Sequence, residues 1–425
     1  MPLTDVLEKL YSRRRFGIRP GVDRVGKLLG RLGNPEKNFR TIHVAGTNGK
    51  GSTSAFLSSI LRHAGHRVAQ FSSPHLVRFT ERFRINGAEY PADKLKVLME
   101  VVLAAAPEDA TFFEITTALA AYIFSEERVE LAVMEAGMGG RSDATAAFDG
   151  EMTVLTPIAL DHMDYLGATL EEIAREKAGI IKPETHVICA EQPEAVRRVI
   201  EEQCRAANST LNALGTDFSI EWNPDGTLTY SGMNGLLTHI TPGIAGRYQS
   251  TNAALALAAS EALETGGLTI SSSARREGIA TTYWPGRMEL VPGTPPLLLD
   301  GAHNPAGAAA LAEALPHYSY SRLLLVTGVC DDKDIARIYA PLMPHVAEIY
   351  TVTPSVERAL SDTDLSDFFR KTGMVSQPCG SVVAGIGKAR SQAGAGDLIL
   401  ICGSLFLVGE VKAWLENVDY SGIRG

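Results

Sequence analysis

The chain has 425 residues, 45% of them hydrophobic and 21% charged, an ordinary globular composition that excludes a disordered or low-complexity protein. That length exceeds the roughly 250–300 residues at which one hydrophobic core stops growing, so two domains are expected. A net charge of −9 gives no global basic field for nucleic acid or an anionic lipid surface, so an anionic substrate must be met by local cations. The opening stretch MPLTDVLEKLYSRRR lacks the apolar run of a signal peptide, and nothing approaches the ~18 apolar residues of a membrane span. Cys189, Cys204, Cys330, Cys379 and Cys402 fall at scattered spacing, which suits a reducing cytosol and offers no thiolate metal site. A cytoplasmic protein is expected.

In chain order, residues 3–11 read as a helix. The basic stretch FGIRPGVDRV follows, and its Gly17, Pro20 and Gly21 mark a loop placed to touch substrate. Residues 41–61, TIHVAGTNGKGSTSAFLSSIL, then carry a β-branched strand through a turn with Gly46 and Gly49 into a helix whose apolar face is Phe56, Leu57, Ile60 and Leu61. Backbone N–H groups at such a helix start, together with the Lys50 ammonium, face an anion. The spacing departs from GxxxxGK[ST], because Val44 stands five places before Gly49 and Gly51 separates Lys50 from Ser52. A variant phosphate cradle is the reading, since a purely structural turn has no use for an in-line lysine followed by the hydroxyls of Ser52 and Thr53.

A second strand at 67–71 is broken by SSPHL, which leaves Ser73 at its end, and ERFRINGAEY carries Asn86 and Gly87 as a hairpin turn. Helices are expected at 93–105 and 113–125. The buried strand 129–134 runs into Glu135 and the glycine-rich AGMGGRSDAT. Ligands of open α/β sheets bind beyond the carboxyl ends of the strands, so Glu135 is a candidate magnesium ligand. The strand at 152–158 likewise ends in ALDHMDYLG, with Asp161, His162 and Asp164.

Thr169 and Glu172 form a capping box for a helix bearing Ile173, Lys177, Ile180 and Ile181. Spacing alone favours a snorkelling surface role for that lysine. A strand follows at 186–190, and turns at 223–226 and 234–235 mark 211–240 as a small antiparallel excursion. GRYQSTNAALALAAS opens an alanine-rich helix with Asn252 near its N-terminus, placed to cap it or to reach a ligand. Pro285, Pro292, Pro295 and Pro296 gather in a seam at 284–296, which sets the expected boundary between a domain of residues 1–290 and one of 291–425. Beyond it, strands and helices alternate through LLLDGAHNPAGAAALAEAL, RLLLVTGV, EIYTV and DLILICGSLFLVGEVKAWL. Asp300, His303 and Asn304 follow one of these strands and Ser404 another. The fold expected is therefore α/β: a P-loop-type, mostly parallel sheet with a small antiparallel excursion, then a second, smaller, doubly wound Rossmann-like α/β domain.

These stretches together resemble the folylpolyglutamate synthase and dihydrofolate synthase family of the Mur ligase superfamily, ATP-dependent amide-forming enzymes. HVAGTNGKGS, SSPHL, ERFRING, FFE, MEAGMGGRSDAT, LDHMDYLG, EEIAREKAGIIKP, GR followed by ME, LLDGAHNP and CGSLFLVGE occur in family order over nearly the whole chain. The family turn GGRLDATN differs here, with Ser142 and Ala146 in place of Leu and Asn. The resemblance implies ATP phosphates on Gly49, Lys50, Gly51 and Ser52, with Asn252, Arg287 and Asp300 completing the nucleotide site. It implies two magnesium ions, one on Ser73 and Glu135, the other on Glu135, His162 and a carbamylated Lys177. Phe112, Phe113, Glu114 and Ile115, with Ser142, Asp143 and Ala144, would face the pterin, while His303 and Ser404 would receive glutamate. Lys50, His162, Lys177 and His303 form the implied catalytic set, with His303 as base.

The implied reaction joins L-glutamate to dihydropteroate, or to the γ-carboxylate of folates, through an acyl phosphate. A monomer is expected, acting on small molecules without a nucleic-acid or membrane partner. Two alternatives remain: a Mur-type ligase for a nucleotide-linked muramyl substrate, and a P-loop regulatory ATPase with a partner-binding second domain. FFE and SSPHL speak against the first, and the second requires phosphate release with neither acid nor amine.

Overall fold

Short apolar segments build the first sheet: β1 (Arg40–Ala45), β2 (Val68–Phe71), β3 (Phe83–Ile85), β4 (Ala88–Glu89), β5 (Leu131–Glu135), β6 (Gly150–Leu155), β7 (His186–Cys189) and β8 (Thr210–Ala213). The computed structural model describes residues 3–13, 21–420 and 422. The strand order is β4-β3-β2-β5-β1-β6-β7-β8. From β2 to β8 every neighbouring pair is parallel, and β3 and β4 add an antiparallel edge through the Asn86 and Gly87 turn. Both faces of the parallel part are covered, which is why its strands read as nearly unbroken apolar runs. Ile42, Val44, Val133 and Val154 pack against the helices Lys50–His63 and Gln249–Thr265. Ala69, Phe71, Ala132 and Met134 meet the helix Phe112–Glu126 on the other face. Further along, Leu155 and Val187 meet the helices Leu170–Ala178 and Glu194–Ala206.

The antiparallel excursion is smaller than expected. It consists of β9 (Ser219–Trp222), β10 (Leu228–Ser231) and β11 (Leu236–Ile240), in the order β11-β10-β9. The expected start at 211 is corrected: residues 210–213 are β8, which pairs parallel with β7 as an edge of the main sheet. A parallel pair needs a long crossover, and the helix Glu194–Ala206, not anticipated from the sequence, supplies it.

The second sheet comprises β12 (Glu289–Val291), β13 (Leu297–Leu299), β14 (Leu323–Thr327), β15 (Val346–Thr351), β16 (Ser376–Pro378) and β17 (Leu398–Cys402). Its order is β12-β13-β17-β14-β15-β16, parallel throughout except for β12. Alternate residues of β14 serve opposite faces. Leu323 and Leu325 join the helices Pro305–Ala314 and Asp362–Lys371, whereas Leu324 and Val326 join Val382–Gln392 and Leu405–Glu416. β12 spans the seam expected between 290 and 291. The basic loop with Gly17 and Pro20 lies outside the described residues. Gly21 at its end donates its N–H to the Ser142 carbonyl at 3.2 Å. Among the described residues no helix is long and apolar enough to cross a membrane.

Candidate active site

The turn after β1 is shaped by its glycines and closed by a distant asparagine. Gly49, at the start of the helix Lys50–His63, has φ 90°, and a Cβ there would stand 2.2 Å from Asn252 Oδ1. Glycine is therefore required by both backbone and space. Asn252 Oδ1 accepts from Thr53 Oγ1 at 3.3 Å, and its Nδ2 donates to Gln249 Oε1 at 2.8 Å. The Lys50 ammonium is drawn back over the turn, donating to the carbonyls of Gly46 (3.3 Å) and Thr47 (3.1 Å). Gly51 and the buried Ser52 follow on the same cavity wall.

β5 pairs with β1 so that Glu135 stands beside Val44, next to this turn. Glu135 is 5% exposed and accepts the Ser73 backbone N–H. Burial pushes its carboxyl up to about 7, against the pull of Lys50, Arg287, that N–H and Arg82. Lys177 corrects the surface reading: it is 3% exposed and donates to the Gly46 carbonyl at 2.7 Å. Its helix is pressed against the glycine-rich turn so closely that a Cβ at Gly140 would lie 2.3 Å from the Lys177 carbonyl oxygen. Burial, reinforced by the charge of Lys50, lowers the Lys177 amine to about 7. His162, beyond β6, opens to the cavity in a left-handed conformation, φ 51°.

Asp161 gathers groups from both sheets. It accepts from Asn304 Nδ2 (3.2 Å) and Lys333 Nζ (3.3 Å), and lies 3.9 Å from His303 Nε2. Burial raises its carboxyl, but the charges of His162, His303 and Lys333 together with the Asn304 bond outweigh it and hold the group below the usual range. Asn304 also exchanges amide hydrogen bonds with Asn48 of the cradle, at 3.0 and 3.2 Å. His303 Nδ1 lies 2.8 Å from the Gly301 carbonyl, so that nitrogen carries the proton and Nε2 is the basic one. Burial lowers the His303 pKa, against Asp161.

The remaining positions divide by how their polar atoms are used. Asp300 is committed to the seam, accepting from Ala302 N (2.8 Å), Met288 N (2.9 Å) and Tyr248 Oη (2.9 Å). Arg287 donates to the Gly286 carbonyl at 2.9 Å and reaches the same cavity. Ser404 caps its helix by accepting from Phe406 N at 3.1 Å. Glu114 accepts from Thr111 N at 2.8 Å and pairs with Arg24 at 2.9 Å. Asp143 secures its turn through Met138 N (2.9 Å) and Thr145 Oγ1 (2.6 Å). Ser142 donates its N–H to Glu176 at 2.9 Å.

Phe112, Phe113, Ala144 and Ser73 line the cavity with all of these, in a volume of about 1100 Å³. Ile115 is the exception and is corrected: its position in the helix Phe112–Glu126 turns it into the apolar core, fully buried, away from the cavity. Among the described residues no group of three or more His, Cys, Asp or Glu stands ready as a metal cage. An ion here needs a hydroxyl, a modified lysine or a phosphate to complete its shell. Arg82, Lys333, Asn48 and Tyr248 line or brace the site without having been assigned roles from the sequence. Lys333 lies in CDDKD, a charge run that gives no site signal, whereas Arg82 lies in ERFRING, a stretch that carries the family resemblance without marking that residue.

Two family descriptions match the chain: the Mur ligase middle domain over residues 44–260 and the Mur ligase glutamate ligase domain over residues 286–405. The dihydrofolate synthase/folylpolyglutamate synthase of Bacillus subtilis (strain 168) is 36% identical over 427 residues, covering 97% of this chain and 99% of the relative. The structure of E. coli FolC in complex with DHPP and ADP superposes with a TM-score of 0.91 at 34% identity, covering 98% of each chain. A bifunctional folylpolyglutamate synthase/dihydrofolate synthase from Yersinia pestis, complexed with AMPPNP and a Mn ion, gives 0.88 at 31% identity, again with 98% of each chain. Likeness at this level over both sheets, with a glycine-shaped turn bearing Lys50 and a buried carboxylate on one cavity, means that the chain belongs to the dihydrofolate synthase/folylpolyglutamate synthase family of the Mur ligases and is an ATP-dependent ligase.

Proposed function

We propose that the protein uses ATP to join L-glutamate to dihydropteroate and to the γ-carboxylate of folates that already carry glutamate. The observation that carries this reading is the convergence of Lys50, Lys177, Arg287 and the buried Glu135 on one cavity beside an aromatic wall, Phe112 and Phe113. The acid's carboxylate attacks the γ-phosphorus of ATP, a new O–P bond forms, the bond to ADP breaks, and an acyl phosphate results. Two anions must approach each other in this step. Lys50 and Arg287 offer fixed positive charge there, so little reorganisation is required as charge shifts. Gly49, Gly51, Ser52, Asn252 and Asp300 shape the nucleotide's seat, and the phenylalanine rings suit the flat face of a pterin. Glutamate's ammonium gives up a proton to His303 Nε2, its amine attacks the acyl carbon, and phosphate leaves. Ser404, at the start of its helix, borders the place assigned to that glutamate.

The donor set fits magnesium, a hard cation that prefers oxygen. Ser73 and Glu135 would hold one ion, and Glu135, His162 and a carbamate on Lys177 a second. Bound magnesium supplies positive charge that offsets the phosphates and the acid. A Lys177 amine brought to about 7 is substantially neutral at neutral pH. It can therefore add carbon dioxide, losing one proton, and become an anionic oxygen donor. Residues 1–290 and 291–425 are taken as two domains that close over the ligands about the proline-rich seam. The enzyme is taken to work as a cytoplasmic monomer on small molecules, with no nucleic-acid or membrane partner.

The test is chromatographic analysis of reactions containing ATP, magnesium, glutamate and either dihydropteroate or tetrahydrofolate, each component omitted in turn. Amide is expected only when acid, ATP and glutamate are all present. ADP released at full rate without any acid would overturn the ligase assignment, and folate elongation with dihydropteroate untouched would remove the first activity.

A further inference from the structure

Arg82 is a buried cation in the cavity wall whose hydrogen-bonding capacity is not filled by the described residues. It ends the turn Phe79–Arg82 and is 1% exposed. Its guanidinium carbon stands 5.6 Å from the ring centre of Phe79 and 5.3 Å from that of Phe112. Nε donates to His75 Nδ1 at 2.9 Å, so the neutral His75 holds its proton on Nε2 and acts as an acceptor that fixes the fork. Nη2 has no hydrogen-bond partner among the described residues. The nearby groups that favour its charge, Tyr11 first, then Glu135 and Glu81, do not close the gap at Nη2. Glu81 directs its carboxylate to the N–H groups of Leu76, Val77 and Arg78, and Glu135 acts on Arg82 through space.

A guanidinium withdrawn from water with donors unmet is costly, and a carboxylate is the planar partner that fits its fork. Its location narrows the choice of ligand. Phe112 belongs to the aromatic wall assigned to the pterin, whereas Glu135 belongs to the cluster with Lys50 where the phosphorus must lie. Arg82 touches the first and faces the second.

We propose that Arg82 seats the carboxylate that is to be activated. It holds one oxygen of the acid and leaves the other to form the bond to phosphorus as the bond to ADP breaks. No proton moves in this step, and the guanidinium stays charged throughout. His75 is a positioning residue for it. The inference rests on the ligase reading given above.

The test compares binding of dihydropteroate with binding of its carboxamide, which keeps the pterin and the aryl ring and removes only the negative charge. Both are titrated calorimetrically in the presence of ADP, and ADP affinity is measured on the same samples as a check of folding. Wild-type protein is expected to prefer the acid by roughly 10–100-fold, the usual scale for a charge-assisted pair withdrawn from water. In Arg82→Met and in Arg82→Gln, which keeps a donor toward His75 without the charge, the ratio is expected to fall close to one. A general packing defect weakens acid and amide alike and leaves the ratio unchanged. Either variant retaining the full preference overturns the inference, as does a wild-type protein that binds acid and amide equally. The ligase reading fails separately, if wild-type protein makes no amide from the acid with ATP and glutamate.

Discussion

At the scale of single residues, two buried ionisable groups on the cavity, Lys177 and Glu135, are both brought to about 7. Lys177 donates to the Gly46 carbonyl from within the core, with its amine lowered to about 7. Lys177→Ala is expected to lose essentially all turnover and to recover part of it with added formate or acetate, which restores an anionic oxygen in the space vacated. An alanine variant with undiminished activity would contradict a ligand role. Glu135 titrates the other way. Burial raises it from the usual 4.5 to about 7, so the folded chain binds that proton more tightly than the unfolded chain does. Its contribution to stability is complete below about 4.5 and is lost as pH rises through about 7. Magnesium needs the ionised form. Binding of the magnesium nucleotide at pH 6 is therefore expected to release a proton from Glu135, and progressively less above pH 7. Titration calorimetry at pH 6 in two buffers of different ionisation heat reads this directly, and identical apparent heats would count against it.

The elements show why some of the site could be read from residues alone and some could not. β5, β6 and β13 are covered on both faces, which makes them continuous apolar runs with sharp polar ends, so Glu135, Asp161 and Asp300 stand out at or beyond those ends. The burial of Lys177 was not legible from spacing and followed only from the family resemblance. Its acceptor, Gly46, is 131 residues away, and the turn that presses on its helix comes from Gly140. The phase of a helix start is equally obscure: Phe112 and Phe113 face the cavity, but Ile115 turns into the core. β8 and β16 are short edges defined by pairing rather than by pattern. What the sequence did show clearly was the capping box ahead of Lys177. Thr169 Oγ1 accepts from Glu172 N, and Glu172 accepts in return from Thr169 N, both at 3.2 Å. Thr169→Ala is expected to cost about 1 kcal/mol in urea unfolding. Because that helix aims Lys177, turnover should fall by more than the small loss of folded protein explains. Unchanged turnover per folded molecule would separate the cap from the centre.

For the molecule as a whole, Asp161 joins the two halves through Asn304, His303 and Lys333, beside the Arg78–Glu416 ion pair and the packing of Leu76 and Val77 in the core that holds Val408. Lys333→Met removes its 3.3 Å ion pair to Asp161 and leaves Asn304 and His303. The ligand-free variant is expected to have a larger radius of gyration by small-angle scattering than the wild type, with the difference shrinking once nucleotide and folate are bound. Superimposable ligand-free profiles would show that Lys333 does not hold the halves together. The reciprocal amide pair between Asn48 and Asn304 has a consequence for kinetics. Asn48 lies in the loop proposed to receive phosphate, and Asn304 caps the helix that begins just after His303, so the side proposed to take glutamate is anchored to that loop. Nucleotide is therefore expected to enter first and glutamate last, with the mixed anhydride formed only once the glutamate side has been set. ADP should then inhibit competitively against ATP and noncompetitively against glutamate. Asn304→Ala should relax that sequence toward random entry and let more ATP be spent per amide made.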